Sequence, residues 1–507
     1  MPHSSDAGPV PRATRPPPRQ LATSVPALLG GLALWLLATV GLRPLLLPDE
    51  GRYAEVARGI AAGHHGLPLL NGLPFFHKPP LFYWLDAVAM QLTGATAYAA
   101  RFGSVFGAWL MGASLLLAMR RWHGDAAARL ALAVMATTPF FFVGGQYANH
   151  DMLVGGLITA AVLSVARALE SERSVDLKWL IAGWLFCALA VLAKGLIGIV
   201  LPGLVVVPWL VARGRWRQVV RLMHPAAVLA FALVAGPWFV SMQLSHPEFF
   251  DYFVIEQHFR RFAQSNFNNV HGFWFFFAVV PLLTLPWSMW LPLAAGHAWR
   301  TRGTPCGLYG WWVIVVLGFF SLPDSKLVGY ALPALAPWCA LLALAMGPWV
   351  HRFGSGLVLA AAATCVGIVV AAAWWAPGSN RELAQALAGR KGPHDRVVMV
   401  DEYLYDVPFY ARLPDPVLVA SDWADPQLPA HDNWRKELFD AARFDPVRGR
   451  ELLIPLNALA GVTCTAPAVW FVVPAGREAA VAALSGSQRA FSNAHQALWR
   501  VPGRSCP

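Results

Sequence analysis

Residues 179–211 read WLIAGWLFCALAVLAKGLIGIVLPGLVVVPWLV, and this stretch is a clear indication of the class of fold. It carries a single charge, at Lys194, and a helix needs about 20 mostly apolar residues to cross a bilayer. We therefore divide the stretch into two membrane-spanning helices, 179–193 and 195–211. Lys194 then lies near a helix end, where snorkelling of its long side chain is a sufficient explanation for the charge.

The composition of the whole chain resembles that of this stretch. Of its 507 residues, 57% are hydrophobic and only 13% are charged, against roughly 25% charged in a soluble domain. The 23 Trp and 29 Phe, with a mean hydropathy of +0.48, indicate lipid as the main solvent and aromatic residues at the membrane interfaces. A wholly disordered chain and a collagen-like repeat are excluded.

Apolar stretches predict a polytopic α-helical membrane protein with about 11 to 13 transmembrane helices. Besides the two spans above, the predicted spans are 25–47, 99–119, 130–147, 152–169, 226–242, 273–293, 308–322, 328–346 and 356–375. The range allows for the several prolines in 273–293 and for other divisions of 179–211.

Basic residues concentrate in the loops on one side of these helices. The loops contain Arg120, Arg121, Arg129, Arg173, Lys178, Arg213, Arg215, Arg217, Arg221, Arg300, Arg302 and Arg352. The positive-inside rule places these loops and the N-terminus in the cytoplasm and everything after Trp375 outside, in a bacterial inner membrane. Because topology explains most of the net charge of +11, a nucleic-acid partner is unnecessary.

The chain divides into three predicted parts. Residues 1–24, rich in Pro, Ser and Arg, are typical of a disordered cytoplasmic tail. Residues 25–376 form the transmembrane domain, with a long outer loop at 48–98. Residues 377–507 alternate short apolar strands, such as 397–400 and 469–473, with helical patterns, which predicts a small periplasmic α/β domain. An oxidising periplasm would permit a disulfide between Cys464 and Cys506 in this domain.

Two motifs mark the first outer loop. Pro48-Asp49-Glu50-Gly51-Arg52-Tyr53-Ala54-Glu55 begins it, and His77-Lys78-Pro79-Pro80-Leu81 follows. Adjacent carboxylates together with a lysine beside two prolines are unusual in a passive loop. The plain alternative is that Asp49 and Glu50 only cap a surface helix through its free N–H groups.

Three further segments predicted to lie outside carry charge: Asn149-His150-Asp151, residues 250–262, and residues 321–333. Asp151 could instead be a plain N-cap, and residues 250–262 could form a solvated interfacial helix. If these segments converge with the first loop, they make an anion-binding cavity with one or two carboxylates beside the lipid. The residues that would line it are Asp49, Lys78, Asp151, Arg261, Lys326 and Tyr330.

These motifs resemble the bacterial aminoarabinose transferases, which belong to the wider protein-mannosyltransferase group of polyprenyl-phosphate-dependent GT-C glycosyltransferases. The resemblance rests on residues 48–55, 77–81, 256–262 and 325–333. It implies a GT-C membrane fold, with Asp49 as catalytic carboxylate and Asp151 as a second acidic position. It also implies that Lys78 and Arg261 bind the lipid phosphate. The full set of implied substrate-binding residues is Glu50, Arg52, Tyr53, Lys78, Arg261, Lys326 and Tyr330.

One departure concerns a metal. The aminoarabinose transferases carry a glutamate immediately before the lysine, where this chain has His77. A divalent metal could still bind His77 with His258, but fixed cations in a poorly solvated cavity can stabilise the leaving phosphate without one. The prediction therefore requires no cofactor.

The implied activity is transfer of a sugar from undecaprenyl phosphate to lipid A or a related envelope acceptor on the periplasmic side. The leading candidate for the sugar is 4-amino-4-deoxy-L-arabinose. The alternative is transfer of a hexose, uronic acid or mannose to lipopolysaccharide or protein. A lipid or sugar transporter would place its ionisable residues near mid-membrane and often show inverted repeats. Here the charges concentrate in outer loops, which favours the enzyme.

Overall fold

The computed structural model describes residues 24–63, 66–260, 269–304, 306–347, 350–375, 378–430 and 432–504. A helical part extends through Trp375, and a part with helices and a β-sheet follows from Gly378. Arg261, Cys506 and residues 1–23 of the predicted tail lie outside the described residues, and so does the side chain of His258.

Within the described part of the chain, six helices are long and apolar enough to cross a membrane. They are Ala99–Ala136, His150–Ala168, Leu177–Lys194, Pro225–Ser245, Val328–Met346 and Gly354–Trp375. Three shorter apolar helices, Val25–Leu37, Ile197–Ala212 and Cys306–Ser321, lie where further spans are predicted. The membrane character and the mainly helical fold are confirmed, whereas the number of spans stays a prediction.

The helix Ala99–Ala136 contains a reversal at Gly124. Its φ of 84° and ψ of 172° are not helical, and glycine adopts them without steric cost. A Cβ on Gly112 would lie 3.4 Å from the Leu132 side chain, although a straight helix would separate these residues by about 30 Å. The two segments therefore fold back on each other, in agreement with separate spans on either side of Gly124. The second segment ends at Ala136, however, and a short helix, Pro139–Gly144, follows within the predicted span 130–147.

Two other predicted spans are wrong in shape. The first helix ends at Leu37 rather than at residue 47, since Gly41 and Pro44 interrupt the helical pattern. The region predicted as one span at 273–293 consists of Phe275–Leu283 and Trp287–Arg300, bent by 115°. Pro286 stands at the bend, where it lacks the N–H that would continue the helix.

The helix His150–Ala168 lies at the centre of the helical part, and 89% of its most apolar stretch is buried. A Cβ on Gly156 would lie 2.1 Å from the carbonyl oxygen of Gly107, so the two helices touch backbone to backbone. Only glycine permits this approach. It brings the N-terminal end of this helix, with Asn149 and Asp151, close to the loop that precedes Ala99.

We call that loop, residues 48–98, the first loop. It contains the helix Asp49–Ala61, the short hairpin of β1 (Leu69–Leu70) and β2 (Leu73–Pro74), and the helix Leu81–Thr93. Elsewhere in the helical part, Pro139–Gly144 and Trp216–Leu222 are short helices and Asp251–Arg260 is a π-helix. The helix before the C-terminal part begins at Val350, ahead of its candidate span Gly354–Trp375, and ends at Trp375.

The C-terminal part contains a six-stranded sheet with the order β5-β4-β3-β6-β8-β7. The strands are β3 (Arg396–Val400), β4 (Leu418–Ala420), β5 (Leu453–Ile454), β6 (Ala468–Pro474), β7 (Gln488–Ser492) and β8 (Gln496–Pro502). The first four are parallel, and β7 and β8 pair antiparallel. The accompanying helices are Arg381–Ala388, Asp406–Ala411, Trp434–Phe444, Pro446–Leu452, Leu459–Val462 and Ala479–Ala482.

Cys464 of this part is disulfide-bonded. Because Cys506 lies outside the described residues, the predicted pairing of these two cysteines stays a prediction. Cys187, Cys306, Cys339 and Cys365 are free.

The C-terminal part packs directly on the first loop and on the chain before it. The backbone N–H of Leu45 donates to the Tyr410 hydroxyl at 2.7 Å. The Asn71 side chain donates to the carbonyl of Val417 at 2.9 Å and accepts from its N–H at 2.8 Å. These contacts bring the helix Trp434–Phe444 beside the first loop.

Candidate active site

A cavity of about 780 Å³ lies where the first loop, the ends of several membrane helices and the C-terminal part meet. Its polar lining consists of Asp49, Arg52, Tyr53, His77, Lys78, Asn149, Asp151, Lys194, Tyr330, Tyr405, Asp432, Asn433 and Glu437, among others. Val154 and Ile158, one and two turns along the helix from Asp151, line it further in. Leu196, Ile197, Val200, Leu201, Phe319 and Phe320 extend this apolar lining. The cavity is therefore amphipathic.

Asp49 begins the helix Asp49–Ala61 and faces the cavity, with 24% of its side chain exposed. One carboxylate oxygen accepts from Arg52, and the other accepts from Nδ2 of Asn149 at 3.1 Å. These two donors orient the carboxylate while leaving it accessible from the cavity. Its predicted catalytic role stays a prediction.

Arg52 joins the first loop to the C-terminal part. Its guanidinium donates to Asp49 and to Glu437, and it lies over the rings of Tyr53 and Tyr405, 5.1 and 5.5 Å from their centroids. Burial acts to lower the pKa of Arg52, but Glu437, Tyr53 and Asp49 outweigh this effect and raise it. The charge of Arg52 is thus shared between two carboxylates.

Glu437 and Tyr405 are site residues that the sequence analysis missed. The Tyr405 hydroxyl donates to Oε2 of Glu437 at 2.6 Å. Burial raises the pKa of Glu437, against the lowering effects of Arg52 and of the Tyr405 hydrogen bond. Glu437 lies 385 positions from Arg52. No local motif at either residue signals this pairing, so only the fold reveals it.

Glu50 does not contact the cavity, which corrects the expectation that it binds substrate. Its side chain is fully buried, and it accepts from Arg43, from Arg101 at 2.8 and 3.0 Å, and from the N–H groups of Leu46 and Ala148. Burial by itself raises the pKa of a carboxyl group, but Arg101 and Arg43 outweigh it and lower the pKa of Glu50 to about 2. Glu50 therefore holds the first loop against the membrane helices.

Lys78 lies in the cavity lining, as predicted for a cation that binds the lipid phosphate. Its Nζ donates to the carbonyl oxygen of His77 at 2.9 Å, and Pro79 and Pro80 restrict the backbone after it. The His77 ring stacks on Phe75, with 4.5 Å between the ring centroids. The amphipathic cavity thus has a cation on a restrained segment.

A metal site is not evident among the residues that the structure describes, because they include no group of three or more His, Cys, Asp or Glu side chains that could hold an ion. His77 lines the cavity. Since the side chain of His258 is outside the described residues, a metal held by His77 and His258 stays a prediction.

Asp151 pairs with Lys194 in the cavity lining. Asn149, rather than Asp151, is the N-cap of the helix and accepts from the Asp151 N–H at 3.1 Å, so the plain N-cap alternative is wrong. The Lys194 ammonium lies 4.6 Å from the centroid of the Tyr330 ring, which also lines the cavity. Snorkelling therefore does not explain Lys194, and its charge belongs to the site.

Lys326 is the second residue whose predicted substrate contact is corrected. It is 2% exposed, and its Nζ donates to the carbonyl oxygens of His271, at 2.7 Å, and of Pro323. Its neighbours Ser325 and Leu327 line the cavity instead, because side chains alternate in an extended segment. Arg261, the other predicted phosphate ligand, lies outside the described residues.

The comparison of sequences finds relatives whose names state an activity. Residues 77–240 match the family described as dolichyl-phosphate-mannose-protein mannosyltransferase. A protein of Erwinia tasmaniensis named undecaprenyl phosphate-alpha-4-amino-4-deoxy-L-arabinose arabinosyl transferase is 35% identical over 319 residues, which are 61% of this chain and 57% of that protein. One of Aeromonas hydrophila with the same name is 35% identical over 312 residues, 59% of this chain and 56% of that protein. The matches thus span less than two thirds of these relatives.

The comparison of structures extends the similarity to nearly the whole chain. The crystal structure of ArnT from Cupriavidus metallidurans bound to undecaprenyl phosphate has a TM-score of 0.80 and 22% sequence identity, covering 94% of this chain and 97% of that one. The same protein in the apo state gives a TM-score of 0.78 with the same coverage. The fold is therefore shared beyond the segment that the sequence comparison aligns.

Proposed function

We propose that this chain, a relative of the bacterial aminoarabinose transferases, is an integral-membrane glycosyltransferase. It shares their GT-C fold. Its donor is undecaprenyl phosphate carrying 4-amino-4-deoxy-L-arabinose, and its acceptor is lipid A or a related envelope glycolipid. The predicted topology places the reaction on the periplasmic side of the inner membrane.

One observation carries the proposal: a single cavity combines a charged region with an apolar lining between membrane helices. A polyprenyl phosphate has the same two parts, an anionic head and a long hydrocarbon chain. Lys78, Lys194 and Arg52 are the cations of the charged region. Val154, Ile158 and Val200 line the region that suits hydrocarbon, because burying apolar surface there removes it from water.

The chemistry follows from the donor. The bond between the sugar C1 and the phosphate oxygen breaks, its electron pair stays on the phosphate, and an acceptor oxygen forms the new bond to C1. Negative charge grows on the phosphate as the bond breaks, so fixed cations in a poorly solvated cavity stabilise the transition state. In this scheme Lys78 supplies that charge together with Arg261, and a metal is optional.

The role of Asp49 depends on the acceptor. A hydroxyl acceptor needs a general base in the transition state, and Asp49 is an accessible carboxylate on the cavity wall. A phosphate of lipid A is already ionised near neutral pH and needs only positioning. With a phosphate acceptor, Asp49 contacts the amino or hydroxyl groups of the donor sugar instead.

The direct test is transfer in vesicles that contain the purified chain, lipid A and undecaprenyl phosphate linked to radiolabelled aminoarabinose. Label on lipid A is the expected result. A parallel reaction supplies the corresponding hexose donor. Transfer of hexose but not of aminoarabinose would overturn the proposed sugar, and label on protein alone would overturn the proposed acceptor.

Lys78→Ala tests the phosphate contact. We expect kcat/KM for the donor to fall about 10- to 100-fold, since a charged hydrogen bond to the phosphate contributes roughly 1.5–3 kcal/mol. Lys178→Ala is the matched control, because Lys178 is exposed at the opposite end of the helix that ends at Lys194. Equal rates for the two variants would remove Lys78 from the proposed mechanism.

A further inference from the structure

Part of the cavity wall comes from the C-terminal part. Tyr405 and Glu437 contribute to it, although they lie far along the chain from the first loop. Glu437 belongs to the helix Trp434–Phe444 and is 6% exposed. Its two carboxylate oxygens have separate partners, Arg52 on Oε1 and the Tyr405 hydroxyl on Oε2.

Arg52 carries this contact to the candidate catalytic carboxylate. Nη1 of Arg52 donates to Glu437, and Nη2 donates to Asp49. A guanidinium is a rigid planar fork, so the direction of one terminal nitrogen determines the direction of the other. The rings of Tyr53 and Tyr405 lie 5.1 and 5.5 Å from the guanidinium carbon and further limit its position.

We propose that Glu437, oriented by Tyr405, is a positioning residue that acts through Arg52 on Asp49. The C-terminal part thereby completes the active site of the glycosyltransferase, and this inference rests on the proposed function above. Removing the Glu437 charge frees the guanidinium to turn. Asp49 then keeps the Asn149 hydrogen bond but loses its second fixed donor.

A purely structural role for Glu437 would require it to hold the two parts of the protein together. Other contacts do this independently of Glu437. They include the hydrogen bond from Leu45 to Tyr410, the paired hydrogen bonds between Asn71 and Val417, and the ion pair between Lys436 and Glu256. The C-terminal part therefore stays docked when the Glu437 charge is removed.

The test is a double-mutant cycle of Glu437→Gln and Arg52→Gln in the full chain, with donor kcat and KM measured separately. We expect E437Q to lower kcat about 10- to 100-fold while KM changes less than about threefold, and E437D to recover part of the loss. Because Glu437 acts through Arg52, adding E437Q to R52Q should change kcat less than about twofold. Glu451→Gln, at an exposed site of the following helix, is the matched control.

Additive effects of E437Q and R52Q would overturn the inference, and so would equal losses in E437Q and the control. A structure of the E437Q variant decides the matter independently of turnover. An Arg52 guanidinium that still bridges to Asp49 in that variant would contradict the positioning role. If the wild-type chain transfers no sugar from any polyprenyl phosphate supplied, the proposed function fails. The structure of the E437Q variant then tests the positioning role of Glu437 without a measurement of turnover.

Discussion

Asp49 and Glu50 are neighbours in the chain, yet they belong to two different charged regions. In the buried region, one carboxylate, Glu50, faces the two guanidiniums of Arg43 and Arg101. In the cavity, one guanidinium, Arg52, faces the two carboxylates of Asp49 and Glu437. Successive side chains point about 100° apart around a helix, so one motif supplies both regions.

The surroundings of these two carboxylates give the same chemical group different roles. Glu50 has no exposed surface, and its carboxylate accepts hydrogen bonds from donors of the protein itself. Asp49 retains 24% exposure of its side chain toward a cavity that can hold a ligand. The first carboxylate therefore serves the fold, and the second is available for chemistry.

The largest effect is expected from Glu50→Gln. Two buried guanidiniums lose their countercharge, and breaking a buried ion pair by neutralising one partner costs about 3–5 kcal/mol. We expect most of the folded protein to be lost, measured by thermal unfolding and size-exclusion chromatography in detergent. Glu172→Gln, where the side chain is 79% exposed, should behave as the wild type. An unchanged melting temperature for E50Q would show that Glu50 does not stabilise the fold.

Asp49→Asn should instead affect turnover and spare the fold. Loss of a carboxylate that acts in the transition state typically lowers rates by about 10²- to 10⁴-fold, and we expect at least a 100-fold loss. The melting temperature should stay within about 2 °C of the wild type, since a small change at a partly exposed site costs little stability. Asp415→Asn, at an exposed position, is the control. Retained transfer by D49N would assign the chemistry elsewhere.

Asp406 is as buried as Glu50, but its hydrogen-bond donors are amide groups. Asn380 donates its backbone N–H and its side-chain Nδ2 to Asp406, each at 2.9 Å. Burial raises the pKa of Asp406 to about 6, against the lowering effect of these hydrogen bonds. Arginine partners thus lower the pKa of one buried carboxyl, and amide partners fail to do so for the other.

A pH dependence of stability is also expected. The folded state binds the Asp406 proton more tightly than the unfolded state, so the free energy of unfolding should fall as pH rises from about 4 to 6. The full effect is about 3 kcal/mol, since one pKa unit corresponds to about 1.4 kcal/mol. Asp406→Asn should flatten this slope in melting curves recorded between pH 4 and 7. An unchanged slope in the variant would assign the pH dependence to other groups.

Much of the site could be predicted from sequence because its signals are local. The carboxylates at Asp49 and Asp151, the lysine at Lys78 and the tyrosine at Tyr330 stand out as polar residues beside apolar spans, and all of them line the cavity. Glu50 and Lys326 are likewise charged residues beside apolar spans, but they do not line the cavity. The direction of a side chain depends on its helix or strand phase and on distant partners such as Arg101.

The membrane character and helical class follow from the sequence by itself, because a bilayer imposes a long apolar stretch on each spanning helix. The approximate position of the polar residues beside those stretches follows as well. The pairing of Lys194 with Asp151, and that of Glu437 with Arg52 across 385 positions, depend on the folded chain and have no local signal. Such pairs form because buried charges need partners in space, and chain distance does not restrict where those partners come from.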